Sequence, residues 1–436
     1  MTKLKNYLKS FFRQIKSRKP FKPLIVFLAT VISIPLLITV VQSQQPTTVK
    51  VLIQALEAAQ LEPIIKDFNE EHPDINLEVI EAPNDTNQVE DLYTSAFLLG
   101  ESPYDLVYMD IVWTPKFAAA GWLKDLSDRV SQEELDEFLE GDVNGGMYEG
   151  GLYRMPFRSD AGMLYYRTDW LKEAGYEPPE TFSDLMQISQ ALQDQGYTEW
   201  GYVWQGKQYE GLSAMFVEIL EGFEAFWVDP DTLEVGLDRP DAVEAVNFLR
   251  DTIEEGVSPP GVTTYSEEPT RRLFQNGEAA FLRNWPYVYG LASESDIAGE
   301  FAIKPMPHAP DGSSGACQGG WGMGIAKTTN HPEAAWEVVK YFSRAETQKK
   351  YALKTGYVPS RRELFNDPEL VEKYNYLPDL LNVIENAVLR PPIAQYSQAS
   401  DILQRYLSAA IAGTMTPEEA MNAAARETRT LLKRSQ

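Results

Sequence analysis

Two tryptophans and two aspartates stand where their side chains could do chemistry. Trp285 lies in Asn284-Trp-Pro-Tyr287, and the following proline holds its backbone extended. Trp321 lies in Gln318-Gly-Gly-Trp-Gly-Met-Gly-Ile-Ala326, where Gly320 and Gly322 allow close backbone approach. Asp110 closes the apolar stretch that starts at Asp105; an unpaired carboxylate is costly there, so it reads as a ligand contact or a helix cap. Asp160 falls between two strand-like runs. Flat rings cover C–H faces, and carboxylates accept from hydroxyl edges. This set suits a neutral compound with apolar faces and hydroxyl edges. Two other chemistries use the same residue types. Asp110 and Asp160 could be the carboxylate pair of a glycoside hydrolase, which needs a separation of roughly 5 or 6.5–9.5 Å that a sequence does not give. The aromatics could form a cation–π cage for a quaternary-amine osmolyte. Gly320-x-Gly322-x-Gly324 is no dinucleotide fingerprint, because no helix follows at once.

The elements that must position these residues alternate between strand and helix. Thr48–Ala55 reads as a strand. Glu57–Glu71 reads as an amphipathic helix, with Leu61, Ile64, Ile65 and Phe68 at helical spacing. A second strand (75–81), a helix (87–100) and a buried strand (105–110) complete a βαβαβ opening, which builds a parallel sheet. Ligands sit beyond the carboxyl ends of such strands. Residues 55–57, 83–88 and 110–113 therefore face a ligand by geometry. Further on, strand-like runs at 152–158 and 162–167 flank Ser159-Asp160-Ala161, and Asp169 reads as the cap of a short helix. Helices are expected at 183–193, 237–256, 268–276, 333–342, 346–355, 400–412 and 417–434, with strands at 278–284 and 318–326. Trp122 reads as core. The pattern is that of two α/β lobes.

Charge narrows the partners. The chain has 39 Lys+Arg against 64 Asp+Glu, a net charge of −25. Eight basic residues and no acid occupy the first 22 positions, ahead of a largely apolar run from Leu24 to Val41. Without those eight, the remainder carries about −33, which repels nucleic acid and anionic headgroups. A basic flank before an apolar run is an export signature with the basic end inside. At ~1.5 Å per residue the run reaches roughly 27 Å, enough to span a bilayer. Residues 1–43 are thus expected to be a signal peptide, cleaved near Val41-Gln-Ser43, or an uncleaved membrane anchor. The protein is expected in the periplasm or on the outer face of the cytoplasmic membrane. The single cysteine, Cys317, forms no intramolecular disulfide, and three histidines with one cysteine make a dedicated metal site a poor expectation. No cofactor is expected. Roughly 390 residues after the leader favour two domains.

Several stretches carry a family resemblance. Phe68-Asn-Glu-Glu-His-Pro-Asp-Ile-Asn-Leu-Glu78 resembles a "helix, HPGIxVE strand" opening. Tyr104-Asp-Leu-Val-Tyr-Met-Asp-Ile-Val-Trp113 with Phe117-Ala-Ala-Ala-Gly-Trp-Leu123, Gly151-Leu-Tyr-Arg-Met-Pro156 with Leu164-Tyr-Tyr-Arg-Thr-Asp169, Phe274-Gln-Asn-Gly-Glu-Ala-Ala-Phe281, and Gly319-Gly-Trp-Gly-Met-Gly-Ile325 follow in order. Together they resemble the extracellular solute-binding proteins of sugar ABC transporters, most of all the trehalose/maltose-binding branch, from about residue 48 to past 400. The resemblance implies the α/β, two-lobed periplasmic binding protein fold, with a ligand cleft between lobes, no enzymatic activity, and permease subunits of an ABC transporter as partners. It divides the chain into 46–156 plus 305–358 for one lobe and 157–304 plus 359–436 for the other. It implies contacts from Glu57, Asp110 and Trp113 in the first lobe, Arg158 and Asp160 in the crossing, Trp285 and Tyr287 in the second lobe, Gly320 and Trp321 in the glycine-rich strand, and the late arginine Arg390. Two departures bear on the ligand. Gln88-Val-Glu90 stands where the branch usually offers an arginine, and Arg158 stands where it has a tyrosine. The ligand implied is a neutral di- or oligosaccharide or glycoside, such as trehalose, maltose, sucrose or glucosylglycerol.

Overall fold

Three strands and two helices open the folded part in the order the hydrophobic pattern predicts. The computed structural model describes residues 45–100 and 102–434. The leader, residues 1–43, lies outside the described residues. Strand β1 (Thr47–Gln54), helix α1 (Ala55–Glu71), β2 (Ile75–Ala82), α2 (Thr86–Leu98) and β3 (Leu106–Asp110) follow one another. β1 pairs in parallel with both β2 and β3. Crossover helices are what join parallel neighbours. α1 turns Leu61, Ile64 and Phe68 fully into the core. Asp85 caps α2, its Oδ1 accepting from the Gln88 N–H, which satisfies one of the donors a helix start leaves free.

The later strands are β4 (Met155–Ala161), β5 (Met163–Arg167), β6 (Trp200–Val203), β7 (Ala279–Asn284), β8 (Phe301–Lys304), β9 (Cys317–Ile325), β10 (Val358–Pro359) and β11 (Val388–Leu389). They form two main sheets, one per lobe. The first has the order β10-β4-β9-β3-β1-β2, with β11 beside β9. The second has the order β8-β5-β7-β6. β9 runs antiparallel between β3 and β4. It brings Trp321 opposite Asp110 on one side and opposite Arg158 on the other, with Gly319 opposite Asp160. Every residue of β9 and β4 is buried, so both strands run through the interior. Cys317 opens β9 with no exposure, and burial pushes its thiol up to about 12.

The remaining long helices are α3 (Phe182–Asp194), α4 (Glu210–Gly222), α5 (Pro240–Glu254), α6 (Glu267–Gln275), α7 (Pro332–Ser343), α8 (Ala345–Thr355), α9 (Tyr396–Ile411) and α10 (Pro417–Lys433). Three features differ from the sequence expectation. α4 was not expected: all of it but Glu221 is buried, and a helix covered on every side has no polar face to give it a period. Ser159–Ala161 is not a link between strands but the end of β4, because these residues pair with Gln318–Gly320. Asp169 does not cap its helix; Arg167 takes the cap position and draws the Asp169 carboxylate onto its own guanidinium.

The chain crosses between lobes at places set by this pairing. β4 stays in the first sheet to Ala161, and Gly162 makes the first passage, its Cα pressed against the buried Glu218 and Arg283 side chains. Residues 305–312 still bond to the second lobe, the Phe182 N–H donating to the His308 carbonyl and the Ala309 N–H to that of Gly222. Arg361 bridges to Phe138, and β11 pairs with Cys317–Gln318 of the first sheet. α9 and α10 return to pack on α4 and α5.

Candidate ligand-binding cleft

A cavity of about 370 Å³ opens where the carboxyl ends of β1 and β3, the β2–α2 loop and the β9 strand face the second lobe. Its walls include Glu57, Asp110, Arg158, Asp160, Trp285, Tyr287, Gly320, Trp321 and Arg390. Of the residues singled out in the sequence, Trp113 alone stands apart. It is 1% exposed and meets Trp321 edge-on at 5.4 Å, so it supports that ring from behind instead of facing the cavity. The short helix after Asp110 turns it inward.

Two buried arginines organise the walls, each between two carboxylates. Arg158 forks onto Glu57 with Nε to Oε1 at 2.9 Å and Nη2 to Oε2 at 3.0 Å, and its Nη1 binds Asp160 Oδ2. Tyr108 and Tyr351 hydroxyls also donate to Glu57 Oε1, so that carboxylate is fully engaged by the protein. Arg390 directs Nη2 to Asp110 Oδ1 at 2.7 Å and Nη1 to Glu210 Oε1 at 2.6 Å. It follows the last strand of the first lobe and reaches Glu210 at the start of α4, so one guanidinium ties both lobes. Asp110 also accepts from the Val112 N–H, and thus is a cap as well as a wall residue. Burial pushes Asp160 up to about 7, Glu57 and Asp110 adding to it against the pull of Arg158. Burial likewise raises Glu210.

Three buried polar atoms of the wall residues have no protein partner: Gln54 Oε1, Asp160 Oδ1 and Arg390 Nε. Two are acceptors and one is a donor. Buried polar groups are normally paired, so such a set is complementary to a ligand that carries both donors and acceptors.

The rings are held as firmly as the charges. Trp321 stacks on Tyr108 at 5.1 Å, with the Arg158 guanidinium 5.5 Å from its centre, and is 7% exposed. Gly320 beside it has φ +142°, and a side chain there would meet the Arg158 carbonyl and Asp142 Oδ1 at 2.9 Å, so only glycine fits the close strand approach. Trp285 is half-buried and rests on the Arg283 guanidinium at 4.1 Å; Arg283 is in turn paired with Glu218 in full burial. Tyr287 donates its hydroxyl to Glu268 at 2.9 Å and stacks on Tyr357, which stacks on Tyr351.

Sequence reasoning missed Gln54, Lys207, Tyr209, Glu210, Glu268 and Tyr357, all wall residues, whereas Asp85 lies in the 83–88 loop expected to face the ligand. An acid in the first turn of a helix is the signal Glu210 and Glu268 offered. Tyr357 follows Gly356 with nothing to separate it from the other tyrosines. Among the described residues no cluster of His, Cys, Asp and Glu is suited to a metal ion, and no helix is long and apolar enough to cross a membrane.

A two-lobed α/β fold with a polar, aromatic cleft at the strand ends defines a ligand-capturing protein. The sequence profile of the bacterial extracellular solute-binding proteins matches residues 54–349, and the chain belongs to this family, one of binding proteins and not of enzymes. It is 31% identical over 354 residues to a probable ABC transporter-binding protein of Deinococcus radiodurans, covering 79% of this chain and 83% of that one. It is 27% identical to the maltotriose-binding protein of Pyrococcus abyssi over 304 residues, 68% of this chain and 62% of the relative. The structure is similar to that of maltose-bound T. maritima MalE3, with a TM-score of 0.84 and 36% identity over 88% of this chain and all of that one.

Proposed function

We propose that the cleft captures a neutral di- or oligosaccharide or a small glycoside, of the trehalose, maltose, sucrose or glucosylglycerol kind, and presents it to the permease of an ATP-driven importer. The observation that carries this reading is the set of three unpaired buried polar atoms on residues that share the cavity wall with Trp285 and Tyr287. A polyol supplies donors to Asp160 and Gln54 and an acceptor to Arg390, while its C–H face lies on an aromatic ring. The maltotriose- and maltose-binding relatives support the same class. A quaternary amine fits less well, because Trp285 and Tyr357 already carry the Arg283 and Arg158 guanidinium groups at 4.1 and 4.4 Å. The contacts proposed are Glu57, Asp110, Arg158, Asp160, Trp285, Tyr287, Gly320, Trp321 and Arg390, with Glu57 and Arg158 shaping the wall and Asp160 and Arg390 reaching the ligand. We also propose that the lobes comprise 46–161 with 317–389, and 163–316 with 396–434. Capture shifts the population toward the closed form, and no covalent step is needed. The protein acts in the periplasm or on the outer face of the cytoplasmic membrane.

A thermal-shift panel of neutral sugars and osmolytes tests the reading. A ligand at 100 times its Kd should stabilise the protein by about 2.7 kcal/mol. Stabilisation by betaine with none from any sugar or glycoside would refute it.

A further inference from the structure

Along one rim of the cleft two residues of the loop that starts α2, Asp85 and Asn87, reach across to the second lobe. Asp85 Oδ2 pairs with Lys207 Nζ at 2.6 Å, and Asn87 Oδ1 accepts from the Glu210 N–H at 2.9 Å. Asp85, Thr86 and Asn87 belong to the first lobe and Lys207 and Glu210 to the second. Asp85, Thr86, Lys207 and Glu210 all line the cavity, so the ion pair is itself a piece of its wall. Lys207 is held on both sides: its ammonium also lies 5.2 Å from the centre of the Tyr209 ring. Asp85 cannot swing away freely either, because its Oδ1 caps α2. The cavity, of about 370 Å³ and partly open to solvent, is near the small end of the ~300–1,000 Å³ range of small-molecule sites.

We propose that the Lys207–Asp85 pair is a length gate, which stops the ligand at disaccharide size and excludes longer homologues of the same sugar. This rests on the carbohydrate reading above and narrows it. On this proposal the sugar runs along the cleft toward the pair, so that a third ring separates the ion pair and the Asn87–Glu210 contact together. Specificity of this kind comes from a clash and a lost contact on the wrong ligand, not from a new contact on the right one.

The test is isothermal titration of the purified protein with two matched pairs, maltose with maltotriose and sucrose with raffinose. The unaltered protein should bind the disaccharide of a recognised pair at least about tenfold tighter than the trisaccharide. Lys207→Ala should bring that ratio to within about threefold, and Lys207→Arg, which keeps a cation opposite Asp85, should retain it. Equal binding of both members by the unaltered protein overturns the gate. So does a length preference that Lys207→Ala leaves unchanged. Binding of no member of either pair overturns the gate as well, and if no sugar is active in the thermal panel either, the carbohydrate reading itself falls.

Discussion

Replacing Asp160 by asparagine should separate ligand binding from folding. In the unliganded cleft Asp160 Oδ2 is held by Arg158, and Oδ1 is buried with no protein partner. A guanidinium only donates, so the asparagine must turn its carbonyl toward Arg158. Its NH2 group then occupies the place of Oδ1, and an acceptor in the cavity becomes a donor. A ligand hydroxyl that donates to Oδ1 loses a hydrogen bond to a charged group, worth about 1.5–3 kcal/mol. That corresponds to a Kd about 10- to 150-fold weaker. Stability of the empty protein should move the other way. Burial, together with Glu57 and Asp110, pushes the Asp160 carboxyl up to about 7, so above that pH a charged group is held where a neutral one is favoured. The amide removes that charge, and the unliganded protein should melt no lower than the parent. Titration calorimetry with the ligand that gives the largest thermal shift, and scanning calorimetry without ligand at pH 7.5, read the two effects. A Kd within about threefold of the parent would show that Asp160 makes no ligand contact. An unliganded melting point lower by more than about 5 °C would show that its role is structural.

The two cleft tryptophans should behave differently. Trp285→Ala should weaken binding by about 1–3 kcal/mol with little effect on the fold, whereas Trp321→Ala, which removes a ring packed on Tyr108 and Trp113, should destabilise the fold by about 3–5 kcal/mol in urea melts. Binding should be linked to protons: the empty protein holds Asp160 protonated up to about 7, so a ligand that favours the carboxylate releases protons and binds more tightly as pH rises from 5.5 to 7.5. Titrations in two buffers of different ionisation enthalpy measure the release. The stability of the empty protein follows the opposite slope. Asp160 and Asp142 both sit near 7 through burial, above their unfolded value, so their contribution is present at low pH and is lost as pH rises through about 4 to 7. Arg390→Met leaves Asp110 and Glu210 buried without their shared partner and should cost about 3–5 kcal/mol in a denaturant melt; a loss below about 1 kcal/mol would mean the pair is solvated.

Much of this arrangement is legible in the residues alone, and the reasons are particular. α1 shows itself because one face is apolar and the other charged, and β3 because its apolar run ends in Asp110. α4 stays hidden because it is covered on every side and lacks a period. The wall residues that could be read sit at strand ends, where topology aims them at the ligand. Those that could not be read reach the cleft through lobe packing: Lys207 and Glu210 meet Asp85 and Asn87 from more than a hundred residues away. Trp113 was misplaced for a related reason. Its strand-end position is correct, but the turn after Asp110 buries the ring behind Trp321.

The state of Cys317 has a practical consequence. A lone thiol without exposure, and with its ionisation suppressed by burial, should resist maleimides and oxidants at neutral pH while the protein stays folded. The native chain is therefore a silent background for dye attachment. Cysteines introduced one per lobe at exposed positions of the rim, Gln88→Cys and Gln208→Cys, would carry a fluorophore pair with no competing site. The protein could then report lobe separation optically, and serve as a reagentless sensor for whatever solute it captures.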